Sequence, residues 1–164
     1  MGSSVIRTLM VDFSWCVHYN LKMTTLTDLQ NLIGETNEKS GFNEFNNIPE
    51  EHQLHYLGSK LMLVAGELGE AQEEIRAGHG INETYYTLTI PSDRFEDADE
   101  AEDIIGQMIE EGHVGKPEGF PVELADAVIR IFGIAYEAGI DLPAAIEEKL
   151  AYNATREFKH GKQF

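Results

Sequence analysis

The chain is short of three things: cysteine, positive charge and long apolar runs. Its one cysteine, Cys16, permits neither an intrachain disulfide nor a cysteine-built zinc site, and suits a reducing cytoplasm. Twelve Lys and Arg stand against 29 Asp and Glu, a formal charge of −17, which excludes tracking of a nucleic-acid polymer by its phosphates. A nucleotide substrate stays open, provided that a metal and local basic residues offset the repulsion. No stretch approaches the roughly 20 apolar residues of a membrane span. Within residues 1–22, Asp12 and His18 interrupt the one apolar stretch, and no small-residue cleavage site follows, so a signal peptide is not expected. Those residues read as an N-terminal extension, with residues 23–164 forming one domain.

The remaining chain is written mainly in helical spacing. Thr25-Leu-Thr-Asp28 has the form of a capping box before a helix over about 26–39. Pro49 suits the start of a long helix over about 50–77, with Leu54, Leu57, Leu61, Val64, Ala65, Leu68, Ala71 and Ile75 on its core side and Gly78 as the stop. Residues 81–111 change character. Tyr85–Ile90 has the composition of a short strand or extended loop, and Ile104, Ile105, Met108 and Ile109 mark a helix in a run rich in Asp and Glu. Gly115–Pro121 reads as a rigid loop into a second core helix, about 121–138, ended by Gly139. Asp141 then caps a last helix over about 142–157. The expected fold is an all-α bundle.

Two carboxylate pairs stand out in these helices. Glu67 and Glu70 lie three apart on the first core helix, and Glu123 and Asp126 three apart on the second. Residues at that spacing share a face, with roughly 5–6 Å between Cβ atoms. The second helix is apolar or small from Val122 to Ala138 except for the stripe Glu123, Asp126, Arg130 and Glu137, and the first carries the stripe Glu67, Glu70 and Glu74. The plain alternative is that both stripes face solvent. A stripe this narrow on so apolar a helix is better explained by acids that face one another across a divalent cation, which takes oxygen ligands. Lys149, Asn153 and Arg156 then offer a basic helical face at i, i+4 and i+7, suited either to phosphate or to the negative end of their own helix. Lys60 sits two turns before Glu67. His52 and His55 lack a third metal ligand, and Glu110 with His113 has the Glu-x-x-His spacing of an iron-carboxylate type.

Glu67-Leu-Gly-Glu70 and Glu123-Leu-Ala-Asp126, in that order and followed by the Lys149-x-x-x-Asn153-x-x-Arg156 tail, resemble the MazG-like, all-α nucleoside triphosphate pyrophosphohydrolases, particularly phage and actinobacterial ones. The resemblance covers residues 23–80 and 112–162, and 81–111 reads as an acidic insertion between the two metal-binding helices. It implies a MazG-like four-helix bundle that assembles as a homodimer or homotetramer in the cytoplasm, a host's cytoplasm if phage-encoded. It implies hydrolysis of an NTP or dNTP to the monophosphate and pyrophosphate with Mg²⁺, or Mn²⁺ in its place. Glu67, Glu70, Glu123 and Asp126 would be the metal ligands, with Glu67 or Glu70 as general base. Lys60, Lys149, Asn153, Arg156 and Lys162 would contact substrate. Gly66 departs from the family pattern, in which a glutamate often precedes the first motif. The other reading is a non-catalytic acidic adaptor or regulator of the same fold.

Overall fold

The computed structural model describes residues 5–9, 25–90, 94–113 and 115–156. In chain order the elements are β1 (Val5–Leu9), α1 (Leu26–Lys39), a single 3₁₀ turn (Phe45–Asn47), α2 (Glu50–Ala77), β2 (Tyr85–Ile90), α3 (Ala98–Glu110), β3 (Lys116–Glu118), α4 (Phe120–Glu137) and α5 (Leu142–Ala154). The described residues are mostly helical, with five α-helices among them, and none of these is long and apolar enough to cross a membrane.

Local chemistry sets the helix ends. Thr25 Oγ1 accepts from the Asp28 amide and Asp28 Oδ2 accepts from the Thr25 amide, both at 3.0 Å, closing the capping box at α1. Asp97 Oδ1 takes the amides of Asp99 and Glu100 at α3, and Asp141 Oδ1 takes that of Ala144 at α5. Gly78 and Gly139 stop α2 and α4 at φ of 86° and 68°, a backbone that side chains with a Cβ resist.

The chain divides into two compact units, and α2 and α4 each run from one into the other. One unit holds Met1–His18 with Glu67–Ala125. Its sheet has the order β1-β2-β3, all antiparallel, with Val5 opposite Ile90 and Tyr85 opposite Glu118. Ala71, Ile90, Ala101 and Ile105 form its buried core. This sheet corrects the all-α expectation. Residues 116–118, read as part of a loop, form a strand because Tyr85–Ile90 is extended and its backbone groups need ladder partners. Val5–Leu9, assigned to the extension, pairs with the other edge of β2. The insertion is therefore a strand and a helix within this unit.

The second unit holds Tyr19–Gly66 with Asp126–Phe164, around Ile33, Val64, Ala127, Phe132 and Ala135. Helices α1 and α4 approach closely through two glycines. The Tyr136 ring lies where a Cβ on Gly34 would be, and the Asn37 amide lies over Gly133. Gly34→Ala should therefore lower stability by about 1–3 kcal/mol, the usual cost of overpacking, measured as a drop in the urea midpoint with an unchanged slope.

Much apolar surface stays uncovered in the single chain. Val64 and Ala71 of the expected α2 core are buried, whereas Leu54, Leu61, Leu68 and Ile75 are exposed, as is Met62. A helix of 28 residues has apolar groups on more sides than this chain covers. On α4 Phe132 is buried while Ile129 and Ile131 stay exposed.

Candidate metal centre and a separate cavity

In the unit with the sheet, α2 and α4 each bury one acid. Glu67 is 6% exposed and Glu123 3%, and a carboxylate oxygen of each lies within 4.8 Å of the other. Glu123 sits in the first turn of α4, where the helix dipole favours negative charge. Asp126 follows one turn later on the same unbroken helix and is half-buried, so helical periodicity directs it to the same side as Glu123. Glu70 is exposed and stands outside this close set. The donor chemistry fits a hard divalent cation: all ligands are carboxylate oxygens, and two of them are buried together. Ionised carboxylates so placed repel one another in a medium that screens poorly, and a cation removes that cost.

Glu74, two turns beyond Glu67, faces inward as well. Its Oε1 accepts from the Tyr85 hydroxyl at 2.9 Å, and the Tyr85 ring stacks on His79 with centres 4.9 Å apart. Burial first, then the hydrogen bond to Glu74 and the charges of Glu74, Glu118 and Glu123, push the Tyr85 phenol up to about 12 from 10.0. The raised value means that the folded state keeps the proton after the unfolded chain has lost it. This contribution to stability is complete below pH 10 and fades as pH rises toward 12. Tyrosinate absorbance should show a late-titrating phase for Tyr85, and Tyr85→Phe should remove that contribution. The same variant should cost about 1–2 kcal/mol in the urea midpoint at neutral pH, because it leaves a part-buried carboxylate oxygen without its donor.

In the second unit, a cavity of about 380 Å³ is bordered by Asp126 and Arg130 and runs along α4 to Glu137. Lys60 also lines it, donating to the Phe42 carbonyl at 3.1 Å and standing 5.0 Å from the centre of the Tyr56 ring. Of the expected substrate contacts, Lys60 is thus placed with Asp126 on one cavity. Lys149, Asn153 and Arg156 are exposed, the two cations lying 5.1 and 5.8 Å from the Tyr152 ring centre. Lys162 lies outside the described residues. His52 and His55 are exposed. Helix α3 ends at Glu110 and the chain turns through Gly112 at φ 83°, so Glu110 and His113 do not share the helical face that an iron-carboxylate pair needs. Sequence reading missed the Glu74–Tyr85 bond and Asn37; the glycine in the middle of so apolar a helix was the available sign of the latter.

Comparison with family models, with curated proteins and with solved structures finds no match to this chain.

Proposed function

We propose that the protein is a metal-dependent nucleoside triphosphate pyrophosphohydrolase, cleaving an NTP or dNTP between the α- and β-phosphates. The observation that carries this reading is the burial of Glu67 and Glu123 with carboxylate oxygens within 4.8 Å. Solvent-facing stripes would leave both acids in water. Glu67 and Glu123 would hold the cation, Mg²⁺ or Mn²⁺, and the resemblance adds Asp126 as a further ligand. When bound there, it would neutralise phosphate charge and activate water as a Lewis acid.

The chain's own groups divide the remaining work. Glu70, exposed one turn from Glu67, keeps a carboxylate available to accept the proton of the attacking water. Arg130, on the cavity that Asp126 borders, would supply positive charge to the phosphates in a protein that has little of it, and Lys60 would contact substrate further along the same cavity. Lys149, Asn153 and Arg156, exposed on α5 and outside the cavity lining, would contact substrate as the resemblance implies. The exposed apolar residues of α2 and α4 become the seam of a homodimer or homotetramer. A nucleotide substrate makes the cytoplasm the natural location.

Mn²⁺ titration followed by electron paramagnetic resonance tests the metal assignment. The protein should take up Mn²⁺ in the micromolar range or tighter, and Glu123→Gln should lose that uptake while keeping its circular dichroism. Equal uptake by the folded variant would overturn the assignment.

A further inference from the structure

The cavity in the second unit has a second end, and its chemistry differs from that at Asp126. Asp126, Gly133 and Glu137 all border it from α4, and the rise from Asp126 to Glu137 is about 16 Å at 1.5 Å per residue. That span is long enough to lay a nucleoside beyond a phosphate held near Asp126. Glu137 is 8% exposed. Its Oε2 accepts from the Tyr56 hydroxyl at 2.9 Å, whereas Oε1 has Lys60 Nζ at 3.8 Å, outside hydrogen-bond reach. An ionised carboxylate only accepts, and two oxygens offer about four acceptor positions. Glu137, which lines the cavity, therefore has acceptor positions beyond the one that Tyr56 fills, and a donor on the cavity's occupant could take one.

The surroundings suit a flat heterocycle. Phe42 contributes a ring that is 63% exposed at the edge of the cavity, free for stacking. Asn37, over Gly133, brings an amide that both donates and accepts. A glycine inside a helix costs about 1 kcal/mol relative to alanine, and here it makes the room that Asn37 occupies.

We infer that this end of the cavity is a nucleobase pocket in which Glu137 accepts a hydrogen bond from an N–H donor on the Watson–Crick edge, with Asn37 beside it. The inference rests on the proposed reaction for its orientation and adds the residue that discriminates among bases. A carboxylate that merely pairs with Tyr56 and Lys60 would be indifferent to the edge of the base.

A cycle that pairs a protein change with a substrate change separates the two cases. CTP is compared with N4,N4-dimethyl-CTP, and UTP with N3-methyl-UTP; in each, methylation removes the edge donor. With the unaltered protein, methylation of the preferred base should lower kcat/KM by about tenfold or more, the usual worth of a hydrogen bond to a charged group. With Glu137→Gln the same methylation should cost markedly less, and the ranking of CTP and UTP should shift. Gly133→Ala, which helix propensity favours, should push Asn37 into the cavity and raise KM more than it lowers kcat. Equal methylation penalties in Glu137→Gln and the unaltered protein, with hydrolysis intact, would overturn the base-reading role and leave the reaction standing. Equilibrium dialysis of CMP, UMP and their methylated forms repeats the comparison without turnover. A penalty lost in Glu137→Gln there, with no hydrolysis of any triphosphate, would support the pocket and remove the reaction. Absence of both binding and hydrolysis would overturn both.

Discussion

If the proposed reaction holds, Glu123→Gln should lower nucleotide hydrolysis by about a hundredfold or more at moderate Mg²⁺, with most of the loss expected as weakened metal dependence. The substitution keeps the size of a side chain that is 3% exposed, so packing is preserved while one negative ligand is removed. Asp126→Asn, one turn on along α4, should behave alike. Glu70→Gln gives a different signature. Its carboxylate is exposed and outside the close pair, so kcat should fall by roughly 10²–10⁴-fold, as for a lost general base, with metal affinity little changed. Steady-state kinetics against Mg²⁺ concentration distinguish the two patterns. Unchanged turnover in folded Glu123→Gln, or a loss of metal affinity in Glu70→Gln as large as that in Glu123→Gln, would redraw the site.

The second large effect concerns assembly. Leu54 is 82% exposed and Met62 67%, with Leu61 two turns from Leu54 on the same face of α2. Apolar side chains on this scale, left in water on a helix, suit the proposed homo-oligomer seam, and each would stabilise an interface by about 1.5–3 kcal/mol when covered. Met62→Asp places a charge where the seam needs an apolar group, which costs more than removing one. The protein should sediment as a dimer or tetramer at micromolar concentration, and Leu54→Asp with Met62→Asp should sediment as a monomer, raising the dissociation constant about a hundredfold or more. A monomer before any substitution would remove the seam.

Most of the helical layout was legible because its signals are local. The capping box at Thr25, the glycine stops at Gly78 and Gly139 and the aspartate cap at Asp141 need only the residues next to them. The Tyr-Thr run of β2 and the helix inside the acidic stretch were legible for the same reason. Strand β3 was not, since Lys116-Pro-Glu118 has little strand character of its own and is extended because β2 lies beside it. Long-range pairing of this kind leaves no periodicity to read. The acid stripes split likewise: spacing alone set Glu67, Glu70 and Glu74 together, but packing turned Glu67 inward, left Glu70 exposed and gave Glu74 to Tyr85. On α2, which helical positions point to a core depends on the neighbour, and the exposed Leu54 and Leu61 show how far a helical apolar pattern can run beyond what one chain covers.

Release of pyrophosphate from a panel of NTPs and dNTPs, assayed with Mg²⁺ and again with EDTA, tests the proposed reaction most directly. The account predicts monophosphate and pyrophosphate in equal amounts with Mg²⁺, none with EDTA, and recovery when Mg²⁺ is restored. Hydrolysis indifferent to EDTA, release of orthophosphate in place of pyrophosphate, or no hydrolysis by folded protein that binds Mn²⁺ would contradict it.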